Sequence, residues 1–189
     1  MTTRPARPDP PHVSATEMAI LNFYRASELR GGLVLATVAE RVRDPELFLA
    51  LTRHGAEEVE HAGLWAETMR DLGGRPWPSR ATAQACYAEV VGRPSSLLHV
   101  LALTQVFERS VYAHFVERHR DPATHPRIRR TLERMIEDEK GHLSWVRRWL
   151  DDQARARPDV LADLMRRYAA ADRVVWDRMS RDLGYGRAA

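Results

Sequence analysis

Cysteine is almost absent from this chain of 189 residues. Cys86 stands alone, which excludes an internal disulfide and any thiolate-rich metal site and points to a cytosolic compartment. Lysine is as scarce: Lys140 is the only one, and arginine supplies nearly all the positive charge. With 29 basic against 26 acidic residues the net charge is only +3. The arginine pairs Arg129–Arg130 and Arg147–Arg148 are interleaved with acids, as on a solvated helix face, so no nucleic-acid surface is expected. No uninterrupted apolar run approaches a membrane span, and the opening residues 1–11 are polar and proline-rich rather than signal-like. A glycine-rich phosphate loop, a nucleophile elbow, a flavin or nicotinamide fingerprint and an alternating strand pattern are all missing. What remains is an all-α chain of one domain's length, 44% hydrophobic and able to bury a good core.

Apolar residues recur three and four apart along four long segments. Ser14-x-x-Glu17 is a capping-box signature and opens the first, whose inward stripe reads Leu21, Tyr24, Glu28, Gly31, Leu35, Val38, Val42. Asp44-Pro45 opens the second, with Leu47, Leu51, His54, Glu58, His61, Trp65 and Met69 facing inward until Gly73-Gly74 stops it. A connection of roughly twenty residues follows, holding a short helix near Ala81 to Val91. Ser95 or Ser96 caps the third segment (Leu97, Leu101, Thr104, Glu108, Val111, Phe115), and Asp121-Pro122 breaks it. Pro126 opens the fourth, with Ile128, Leu132, Met135, Glu139, His142, Val146 and Trp149 inward. After Pro158 a fifth helix carries Leu161, Leu164, Tyr168 and Val175. The expected organisation is a flexible arm at 1–13, a four-helix bundle at 14–150 with a long crossover between its second and third helices, and a C-terminal helix within 151–189 packed on the bundle.

The inward stripes carry charge. Glu58 and His61 form one Glu-x-x-His pair, Glu139 and His142 a second. A lone glutamate, Glu28 or Glu108, precedes each pair by about 30 residues, the distance from mid-helix round a turn to the middle of an antiparallel partner. Each motif is weak alone; two matching halves are not. One helical turn points both members of a pair the same way, so the glutamate can bridge two ions while the histidine takes a terminal position. Four buried carboxylates repel unless paired, and two divalent cations bring the site close to electroneutral. Carboxylate and imidazole without thiolate favour iron or manganese. The metal set is therefore Glu28, Glu58, His61, Glu108, Glu139 and His142, holding two iron ions or an iron–manganese pair. Acids stand immediately before both pairs, Glu57 and Asp138. A metal-bound histidine usually hands its other N–H to a carboxylate, so antiparallel packing would let Asp138 hold His61 and Glu57 hold His142.

Other inward residues have two readings each. His54 is either a satisfied core histidine or a metal or proton-relay group. Thr104 and Tyr112 flank Glu108 by one turn and either line a pocket or pack. Gly31 and Gly32 are costly in mid-helix, by about 1 kcal/mol each against alanine. Gly31 provides room for a substrate, or the pair marks a kink or close helix packing.

This pattern resembles the ferritin-like di-iron carboxylate superfamily, of rubrerythrin and di-iron oxygenase type, over residues 14–150. The resemblance implies the same six ligands and assigns Asp138 an outer role. The chain has no Cys-x-x-Cys pair for the rubredoxin-like iron of a two-domain rubrerythrin, and its symmetric ligand set argues against iron storage. No tyrosine is singled out as a radical carrier. The function implied first is an oxidoreductase that activates O2 to oxidise a small organic substrate, with an external electron donor, no membrane, and a homodimer as an admissible state. The alternatives are rubrerythrin-like removal of peroxide or oxygen, and a non-catalytic iron-handling bundle.

Overall fold

The computed structural model describes residues 13–183, and helices α1 (Ala15–Ala39), α2 (Pro45–Asp71), α3 (Ala83–Val91), α4 (Leu97–Arg120), α5 (Pro126–Ala156) and α6 (Pro158–Leu183) make up most of them. Apart from Val13, the expected N-terminal arm lies outside the described residues.

Local chemistry sets the helix ends. Ser14 Oγ accepts the Glu17 N–H at 3.0 Å, and Asp44 Oδ1 accepts the Leu47 N–H at 2.8 Å ahead of Pro45. Glu17 does not return to its cap as a full capping box would; it pairs with Arg118 of α4 and staples the helices together. Gly73, at φ 81°, ends α2 in a conformation that a side chain would resist. Thr82 caps α3 and Ser96 caps α4.

Contacts between helices give their directions. Gly32 faces Gly55 and Met18 lies beside Gly74, so α1 and α2 run antiparallel. Glu17 and Tyr24 meet Arg118, while Gly31 and Val34 share a cavity with Thr104 and Val100, so α1 and α4 are antiparallel too. It follows that α2 and α4 are parallel, which the long crossover through α3 makes possible. His61–Asp138 and Thr68–Thr131 set α5 antiparallel to α2. This is a ferritin-like helical bundle.

The core is split in two. One apolar cluster gathers Leu21, Trp65, Met69, Phe115, Leu132 and Met135, the other Leu35, Leu51, Leu101, Val146 and Leu150. The buried carboxylates lie on the helix turns between them. Each fully buried side chain of this kind contributes roughly 1.5–3 kcal/mol, and two such plugs offset the cost of a charged belt. α5 continues past the expected end at 150 to Ala156, with Leu150 still buried. α6 packs across α3, α4 and α5. Its buried Asp172 accepts hydrogen bonds from Ser110 of α4, at 2.7 Å, and from Tyr87 of α3. No helix among the described residues is long and apolar enough to cross a membrane.

Candidate metal centre

Four helices converge on one polar belt. α1 contributes Glu28, α2 contributes Glu58 and His61, α4 contributes Glu108, and α5 contributes Glu139 and His142; all six are buried. The i, i+3 spacing within each pair puts both side chains on one face, and the apolar stripe turns that face inward. Their donor atoms form two overlapping clusters, each within 4.8 Å across: Glu28, Glu58, His61 and Glu139 in one, His54, Glu58, Glu108 and His142 in the other. Glu58 belongs to both, so it would be within reach of two ions.

The outer acids cross between helices. His61 Nε2 lies 3.2 Å from Asp138 Oδ2, and His142 Nε2 lies 2.8 Å from Glu57 Oε2. One acid of α5 thus holds a histidine of α2, and one acid of α2 holds a histidine of α5. With Nε2 facing the outer acid, Nδ1 faces the belt. His142 Nδ1 lies 3.4 Å from Glu58 Oε1 and 3.5 Å from Glu139 Oε2, and His61 Nδ1 lies 3.8 Å from Glu139 Oε1.

Among the described residues those inward atoms have no hydrogen-bond partner. His61 Nδ1, His142 Nδ1, Glu108 Oε2 and Glu139 Oε2 are all buried and unpaired, an arrangement a protein rarely tolerates without another binding partner for them. The protonation chemistry agrees. Burial, and then the charges of Glu58 and Glu139, hold the Glu28 carboxyl well above the ordinary carboxylate range. Glu58 is pushed up to about 8 by burial and by the Glu139 and Glu108 charges. Burial lowers His61. It also lowers His142, but the close Glu139 carboxylate and the Glu108 charge outweigh it and raise the imidazole to about 9. Without cations the belt keeps protons in their place. The donor set fits a pair of divalent ions: oxygen and nitrogen donors, no sulfur, and four carboxylates against about four positive charges.

A cavity of about 110 Å³ opens between α1, α3 and α4. Its walls include Val34, Tyr87, Leu103 and Phe107, and it reaches Glu58 and Glu108. Gly31 and Thr104 line it. Tyr112, half-buried on α4, is not among the lining residues and does not flank the cavity as expected. His54 does not line it either; it sits inside the carboxylate belt. Gly31 also has a second reason for its identity. A Cβ there would come within 2.9 Å of Glu58 Oε2 and 3.3 Å of Gln84 Nε2. Gly32 serves the close approach of α1 and α2, since a Cβ would lie 2.6 Å from the Gly55 carbonyl oxygen.

Two groups near the belt have partners that the sequence does not mark, although Tyr24 stands on the inward stripe of α1. Gln84, on α3, donates to the Ser27 carbonyl at 3.0 Å beside the cavity. Tyr24, one turn before Glu28, bonds His114 at 2.5 Å and accepts from Arg118 at 2.9 Å, and burial pushes its phenol up to about 12. Neither lies in a motif, because their partners come from other helices.

A ferritin-like bundle with a carboxylate and histidine belt of this kind is a protein of di-iron type. A sequence model of the rubrerythrin family matches residues 20–150, and the chain belongs to that family. No curated protein and no solved structure matches it.

Proposed function

We propose that the chain is a two-metal oxidoreductase that uses O2 to oxidise a small, largely apolar organic molecule held in the cavity between α1, α3 and α4. The observation that carries this reading is the cavity itself, apolar along its walls and ending on Glu58 and Glu108. Glu28, Glu58, His61, Glu108, Glu139 and His142 hold the two ions, which supply the redox chemistry when bound. Glu57 and Asp138 fix the tautomer and aim of His142 and His61. The apolar walls exclude water around the reacting group. Electrons come from a separate donor or from the substrate. Family membership supports a second reading, peroxide or oxygen removal of rubrerythrin type.

Two rates measured on one variant separate them. Ala88 lines the cavity from α3 and belongs to neither donor cluster. Ala88→Leu should keep full metal content and lose most oxygen consumption coupled to an apolar substrate, while hydrogen peroxide decay persists. Unchanged substrate oxidation would remove the cavity from the proposal. Peroxide decay as the sole activity of the wild type would favour the second reading.

A further inference from the structure

We infer that His54 is a seventh metal ligand, acting through Nε2, and that it makes the two metal positions chemically unequal. The inference rests on the two-metal reading above. His54 lies one turn before Glu58 on α2 and is fully buried. Its Nε2 is 2.9 Å from Glu108 Oε1 and 3.3 Å from Glu58 Oε1. Neither approach has hydrogen-bond geometry, and Nε2 is left without a partner. At these distances a histidine serving only to hold a carboxylate would point an N–H at it. Unpaired buried donor atoms gathered on a common space match the donor set of one ion.

His61 Nδ1 and His142 Nδ1 share this state: buried, close to two-metal carboxylates, unpaired. All three inward ring nitrogens therefore follow one pattern. The His54 ring also stacks on His142, with centroids 3.7 Å apart, so both imidazoles come to the same side of the belt. The first position then draws on His54, His142, Glu108 and Glu58, and the second on His61, Glu28, Glu139 and Glu58. Two nitrogens with two carboxylates face one nitrogen with three, although the two Glu-x-x-His motifs alone describe a symmetric site. His54 differs from the other two in one respect. Its Nδ1 has no outer acid to brace it, so the stack on His142 fixes the ring instead.

Co(II) tests this, because its visible bands report the number and kind of donors. Wild type, His54→Ala and His54→Gln are titrated anaerobically as full chains, with far-ultraviolet circular dichroism as the check on folding and Glu67→Ala, on an exposed α2 position, as control. Wild type should bind two ions per chain. In the His54 variants one of the two should weaken by at least about tenfold, the lower end of what losing even an outer-shell partner costs, with shifted bands. Imidazole added to His54→Ala should restore the wild-type bands by filling the space against His142. If His54→Ala loses helicity, His54→Gln carries the comparison. Unchanged affinity and bands would make His54 a packed core residue and overturn the inference. Weaker binding with unshifted bands would make it a positioning partner of Glu108 and overturn ligation. A wild type that takes up no pair of ions would overturn the two-metal reading itself, before any variant is compared.

Discussion

Gly31 shows how tightly single residues are set around the belt. It lines the cavity, yet its missing Cβ also makes room for the carboxylate that both clusters share. Gly31→Ala should therefore act on metal binding before it acts on substrate space. Calorimetric titration should show lower affinity in a protein that remains helical, whereas wild-type affinity would mean that Glu58 moves aside freely. The outer acids work through an N–H rather than through space. Asp138→Asn keeps the shape but removes the charge that favours the inward lone pair of His61. Metal affinity should fall by roughly 10–100-fold, as for other outer-shell partners. Asp177→Asn, exposed on α6, provides the comparison, and equal effects of the two would reduce Asp138 to a surface acid.

At the scale of elements, α3 matters most. It is only nine residues long, too short to hold its shape in water alone, yet it closes the cavity and brings Gln84 beside Gly31. Its anchor is Tyr87, which donates to the buried Asp172 of α6, while Ser110 of α4 donates to the same carboxylate. Three helices thus meet on one charge. Tyr87→Phe removes one of these charge-assisted bonds and should destabilise the protein by about 1.5–3 kcal/mol in chemical denaturation. Metal content should be unaffected, because Asp172 lies outside both clusters. A loss below about 0.5 kcal/mol, the floor for an ordinary hydrogen bond, would show that α3 is held by its apolar contacts alone.

For the whole molecule, the belt links protons, metal and stability. The Glu58 carboxyl stands at about 8 against an ordinary 4.5, so the metal-free native state binds more protons than the unfolded chain between those values, and stability falls as pH rises across them. His142, raised from 6.5 to about 9, contributes stability that is fully present below 6.5 and lost as pH rises through 9. His61, lowered, contributes in the opposite sense, but only as pH falls below its ordinary 6.5. Between pH 6.5 and 9 the metal-free melting temperature should therefore decline. Bound ions replace these protons and are held more tightly as the ligands deprotonate. The gap in melting temperature between loaded and metal-free protein should widen with pH over the same range. A constant gap would mean that the belt does not exchange protons for metal.

The sequence by itself determined the long helices, the caps Ser14 and Asp44, the four stripes and the charged residues on them. Those features repeat at helical spacing or sit at helix ends, so local chemistry is enough to read them. It also anticipated the crossed pairing of Glu57 with His142 and Asp138 with His61, because antiparallel packing of two similar halves leaves little other choice. What only the tertiary structure decided depends on which faces meet. His54 could be read as core or ligand until Glu108, from a helix about fifty residues further on, came beside it. Tyr112 occupies the same helix as Thr104, but only Thr104 lines the cavity. Gly31 and Gly32 are neighbours in sequence with separate causes, one the Glu58 carboxylate and the other the backbone of α2. Periodicity places a side chain on a face; the angle and spacing of the opposing helix, set by packing along the whole bundle, decide what that face touches.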